Sequence, residues 1–138
     1  MQANFKFRDS IYIVFENLEI DLHNDYLFTR LEYSVIDRSV ELHWKRSSGN
    51  WVKPDLPSNI TLKFDEVSKF EFKPRDSDIP FTEDDCLSSV GYLTSEDWCD
   101  GIFWTECLPE NDWMQAFEFM SGAIIALHAG KSSMTLLP

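Results

Sequence analysis

The dominant period along this chain is two. Leu18, Ile20 and Leu22 alternate with Glu19, Asp21 and His23, and Val40, Leu42 and Trp44 alternate with Glu41, His43 and Lys45. Ile60, Leu62 and Phe64 alternate with Thr61, Lys63 and Asp65, and Phe70 and Phe72 with Lys69, Glu71 and Lys73. Successive side chains of a strand point to opposite faces, so each run offers an apolar row to a core and a charged row to water. Residues 31–35 read the same way. Short runs of this kind, separated by turn residues, predict an all-β fold. The expectation is a single antiparallel domain over residues 1–138, a sandwich or flattened barrel of about eight to ten strands, with one short helix allowed in 76–100. The predicted core comprises Leu18, Ile20, Val40, Leu42, Trp44, Ile60, Leu62, Phe64, Phe70, Phe72, Phe117, Phe119, Ile125 and Leu127.

Turn residues set the expected connections. Asp37-Arg38-Ser39 separates two alternating runs at hairpin distance, and Asp65-Glu66 is expected to link the run ending at Phe64 to the one starting at Val67. Ser121-Gly122 is expected to join a strand over 113–120 to one over 123–129, with Gly122 supplying the positive φ of a tight turn. Gly130-Lys131-Ser132-Ser133 reads as a break before a last run, 134–137. Residues 47–58, with Gly49, Pro54 and Pro57, read as a loop carrying Trp51 and Val52 back onto the body. No repeat or low-complexity tract divides the chain.

Length agrees with one domain, because 138 residues fall where single cores are commonest. Eleven Phe, five Trp and four Tyr supply enough rings for a substantial core without a metal or disulfide. Three cysteines, Cys86, Cys99 and Cys107, are an odd number and form no C-x₂₋₄-C pair, which fits free thiols in a cytoplasmic protein. No signal segment or apolar run of spanning length is visible, so neither secretion nor membrane insertion is expected.

Charge adds the most specific clue. Residues 1–75 hold eleven basic and twelve acidic side chains, whereas residues 76–138 hold Lys131 against twelve acids. Between Asp76 and Asp112 there are eleven acids and no base. Such a surface repels phosphate, which excludes nucleic acid as a partner and disfavours anionic membranes. It attracts a basic protein. An ordinary solvated surface intersperses both signs, so the segregation points to a binding face. The expected partner-binding residues are Asp76, Asp78, Glu83, Asp84, Asp85, Glu96, Asp97, Asp100 and the aromatic anchor Trp98.

Catalytic and metal motifs are absent. The sequence contains no nucleophile elbow, phosphate-binding glycine loop or nucleotide fingerprint, and neither zinc spacing nor a twelve-residue calcium loop. No catalytic residue, cofactor or metal is therefore expected, although the acidic loops leave an irregular calcium site open. The rival reading is a small glycan-directed hydrolase, or a carbohydrate- or ligand-binding β domain. It would use Glu96, Glu106, Glu110 and Asp112 beside Trp98, Trp104 and Trp113.

The C-terminal run from Trp113 through Phe117-Glu118-Phe119-Met120-Ser121-Gly122 to Ala129 resembles the closing hairpin of small bacterial all-β proteins. The run Ile60 to Phe72 is similar to an internal hairpin of the same proteins, some of which are immunity proteins of polymorphic-toxin systems. The resemblance covers about a third of the chain and implies no catalytic residues. It agrees with the charge reading of a non-enzymatic immunity protein, an acidic inhibitor that neutralises a basic toxin.

Overall fold

A computed structural model describes residues 2–94 and 112–138. Among the described residues the fold is all-β, with one 3-10 turn, Phe81–Glu83, as its only helical segment. Its strands are β1 (Gln2–Ala3), β2 (Lys6–Arg8), β3 (Tyr12–Phe15), β4 (Leu18–Asp21), β5 (Tyr26–Ser34), β6 (Ser39–Arg46), β7 (Asn59–Lys73), β8 (Leu87–Leu93), β9 (Met114–Phe119) and β10 (Ile124–Leu137). The larger sheet runs β5-β6-β7-β10-β9-β8 in antiparallel order and curls into a half-barrel, with the two residues of β1 added in parallel beside β10. The smaller sheet, β2-β3-β4, is a three-stranded meander. The flattened-barrel expectation holds.

The small sheet was legible in the sequence only at β4, as an alternating run; β2 and β3, three and four residues long, went unread. Its two turns rest on non-glycine residues in the left-handed region: Asp9 (φ 50°), Ser10 (φ 66°) and Glu16 (φ 53°). Phe7, Ile13 and Ile20 are its buried row. A backbone bond from Val90 N–H to Ser10 O at 2.7 Å ties the small sheet to β8, while Leu22 N–H to Ile11 O at 3.1 Å extends its own β3–β4 pairing. The two sheet edges also meet, through Phe28 N–H donating to Asp85 O at 2.8 Å.

Asp65-Glu66 is no turn, and Gly130–Ser133 is no break. β7 and β10 run straight through both places, paired with each other along nearly their whole lengths. What the turn-like residues mark is a corner. The inward row of β7 changes from Ile60, Leu62 and Phe64 to Val67, and the facing row of β10 changes from Ile125, Leu127 and Ala129 to Met134. Glu66 at φ 56° accompanies the change from Phe64 to Val67, and an extra residue at Ser68 then returns the row to Phe70, since one added residue turns every later side chain to the other face. A Cβ on Gly130 would meet Glu66 Oε2, so any other residue there must displace that carboxylate. The β9–β10 turn is as expected, with Gly122 at φ 88°. The β5–β6 turn is Val35 to Arg38 rather than 37–39, and both Val35 and Ile36 are exposed there.

The rings that dominate the composition meet in the core. Phe117 packs against Phe7, Trp44 and Phe64 at centroid distances of 5.8, 5.9 and 6.1 Å, while Phe28 bridges Trp44 and Phe119 at 5.1 and 4.7 Å. Eleven of the fourteen expected core residues are buried. Leu18 and Phe70 are only partly buried at the margin, and Phe72 is 55% exposed. For Phe72 the cause is β7 outrunning β6, whose ladder with it stops at Phe64. Trp51 is likewise exposed, tethered by its Nε1–H to Asn24 O at 2.9 Å, while Val52 is buried as expected.

Candidate partner-binding site

The acidic segment leaves β7 at Lys73 and returns at Leu87 to start β8. Proline at 74 and 80 and a run of short polar residues prevent either strand from continuing. The loop is nonetheless tightly organised. Asp76 N–H donates to Ser121 O at 2.8 Å, fixing the loop to the β9–β10 turn, and Asp76 Oδ1 accepts from Asp78 N–H at 2.9 Å. Glu83 N–H and Asp84 N–H donate to Pro80 O and Phe81 O, both at 3.1 Å, closing the 3-10 turn.

Arg75 is the hub. Its Nε donates to Asp84 Oδ1 at 2.8 Å, and its two terminal nitrogens donate to Asp76 O at 3.0 Å and Ile79 O at 2.5 Å. The guanidinium also lies 4.5 Å from the ring centre of Phe81. A planar fork suits several acceptors and an aromatic face at once, as an ammonium would not. Arg75 stands just outside the base-free stretch read from the sequence, yet it folds back and neutralises Asp84. Asp84 is thus a structural residue of the loop more than a free rim charge.

The other expected residues separate into two groups. Asp76 and Asp78 are exposed, and Glu83 and Asp85 are half-buried, all four on this loop. Glu96, Asp97, Trp98 and Asp100 lie outside the described residues. The aromatic residue that the loop does present is Phe81, 79% exposed and braced by Arg75. Sequence reading missed it because one Phe in a polar loop has no periodic context. Its signal was the Pro80 before it and the acids after it.

Among the described residues, Cys86 and Ser68 each lie against a histidine. Cys86 Sγ is 3.7 Å from His23 Nδ1, but that nitrogen sits 2.5 Å from Leu87 O and so is engaged with the backbone. Burial, with Glu83 and Asp85 adding to it, pushes the Cys86 thiol up, so the reactive thiolate is disfavoured. Ser68 Oγ meets His128 Nδ1 at 2.7 Å beside an open groove of about 270 Å³ lined by Ser68, Lys69, Asp112 and His128. Ser68 Oγ also reaches His128 O at 3.4 Å, which makes the pair a clip across the β7 bulge. Of the carboxylates and Trp side chains named for a glycan site, only Asp112 and Trp113 are described. No family model, curated protein or solved structure matches the chain.

Proposed function

We propose that the protein is a non-catalytic binding protein that captures a basic protein partner through the 74–86 loop, most concretely as an immunity protein neutralising a toxin. The observation that carries this reading is Phe81: a large ring left 79% exposed, held in place by Arg75 and surrounded by Asp76, Asp78, Glu83 and Asp85. An aromatic already stacked on a guanidinium loses less freedom on binding than an unsupported one, and an acidic rim accelerates encounter with a cationic surface. The resemblance of the β9–β10 hairpin to those of small bacterial immunity proteins supports the same reading, since Asp76 is bonded to that hairpin's turn.

The test separates anchor from rim. Asp78→Asn, Glu83→Gln and Asp85→Asn together keep volume and remove three charges, while Phe81→Ala removes the anchor. Once a partner has been isolated at low salt, the amide triple variant should associate more slowly and with a flatter salt dependence, at unchanged far-UV spectrum. Phe81→Ala should instead dissociate faster, at a cost of about 2 kcal/mol or roughly 30-fold in affinity. Partners with no basic bias, or a triple variant that associates as fast as the parent at low salt, would overturn the proposal.

A further inference from the structure

A different face of the molecule gathers metal-ligating groups. Strand register sets Glu32 of β5 opposite Glu41 of β6, and Arg30 opposite His43, which in turn faces Thr61 of β7. Because Leu42 and Ile60 point into the core, alternation sends these polar residues to the outer face. There, one ring nitrogen of His43 and one carboxylate oxygen from each glutamate lie within 4.8 Å of one another.

Two like charges directly across a strand pair repel, and the local cations leave the pair unbalanced. Arg30 Nε holds Glu32 Oε1 at 3.0 Å. Lys63, opposite Glu41, turns instead to Asp65 at 3.8 Å, and Glu41 makes no ion pair among the described residues. The imidazole supplies the independent sign. His43 Nδ1 is 3.0 Å from Thr61 Oγ1, whereas Nε2 is shut off from solvent with no hydrogen-bond partner. A shielded, unpartnered nitrogen is uncommon in a folded protein. A ring tied at one nitrogen and vacant at the other is the way proteins aim a histidine at a metal.

We propose that Glu32, Glu41 and His43 form a binding site for a divalent transition-metal ion, with His43 Nε2 and one oxygen of each carboxylate as ligands and Thr61 as a positioning residue. One imidazole with two carboxylates suits Zn²⁺, Mn²⁺ or Co²⁺, whereas calcium takes oxygen alone. Neighbouring ligands around such an ion stand roughly 3–3.5 Å apart, so the carboxylates close in on binding and Glu32 exchanges Arg30 for the metal. Three protein ligands leave further positions to water. No pattern in the sequence could show this set, because two of its members come together only through strand pairing.

Titration of the full chain with Mn²⁺ tests the site. Paramagnetic broadening of amide signals should centre on residues 30–32, 41–43 and 61. Co²⁺ should give weak visible bands without the near-ultraviolet charge transfer of a thiolate. His43→Ala should abolish the broadening, Thr61→Val should weaken binding about 10-fold through loss of ring orientation, and Arg30→Gln should tighten it by removing the competing cation. Glu41→Gln keeps shape and gives the same readout as His43→Ala should that variant fold poorly. Broadening confined to residues 76–85, a thiolate band, or equal affinity in the folded Glu41→Gln chain would each overturn the proposal.

Discussion

The half of the sheet formed by β5, β6 and the first part of β7 differs from the half formed by β8, β9 and the first part of β10 in how many faces it buries. In β6 buried and partly exposed residues alternate, with Val40, Leu42 and Trp44 inside and Glu41, His43 and Lys45 outside. In β9, Met114, Gln115, Ala116 and Phe117 are all buried in succession. Phe117 and Phe119 face the main core, while Met114 and Ala116 join Leu93 and Ala126 in a second apolar cluster on the opposite face. The lesson is about side-chain size. A two-faced strand can be apolar throughout, yet small residues such as Ala116 and Ala126 on one face and phenylalanine on the other keep its two layers distinct.

The largest expected effect tests whether both halves share one core. Phe117→Ala removes the ring that touches Trp44 and Phe64 from the first half and Phe7 from the small sheet. It should cost about 3–5 kcal/mol in urea unfolding and keep a single transition. Two resolved transitions would break the comparison by making the halves independent.

A paired substitution sharpens it. Lysine at Ala126, buried on the second face, places an unpaired charge among apolar neighbours and should cost about 2–4 kcal/mol. The same lysine at Thr135, exposed on the outer face of β10 where it pairs with β7, should stay within about 0.5 kcal/mol. Equal melting temperatures for the two variants would remove the distinction between wet and covered faces.

The smallest effect lies at the rim of the first half. Tyr26 donates its hydroxyl to Pro57 O at 2.7 Å, and burial pushes its phenol up to about 12, with Arg46 opposing and Asp25 adding. The folded state therefore keeps a proton that the unfolded chain releases near pH 10. Its contribution is whole below about pH 10 and is lost as pH rises toward about 12. Tyr26→Phe should cost about 1 kcal/mol at pH 7 and lessen the alkaline decline, measured as urea midpoints at pH 7 and pH 11.

The contrast between the halves also explains what the sequence disclosed. Period-two runs located β4, β6 and the first part of β7 because each has one wet face. The corner at Glu66 and Gly130 looked like two turns, since the same positive φ and glycine serve a bend inside a continuous strand. The acidic loop was legible as charge. Its internal order was not, because Arg75 reaching Asp84 and Phe81 depends on three-dimensional packing that composition does not encode.

The pairing of β10 bears on the route to the folded state. Its fourteen residues meet β7 along nearly its whole length, β9 through Ile124 to Leu127, and β1 at Lys131 and Ser132. Asn4 closes the circuit by bonding Met134 N–H at 2.8 Å across 130 positions. Contacts of such separation demand a large loss of chain freedom before any of them is rewarded, which slows folding. A nascent chain that has reached only residue 123 can form the β5–β6–β7 meander, but its inner row of Trp44, Ile60 and Phe64 still lacks Phe117's neighbours on β10. Until that strand pairs the chain carries an open apolar trough, the kind of transiently exposed surface that makes partly folded chains prone to aggregate.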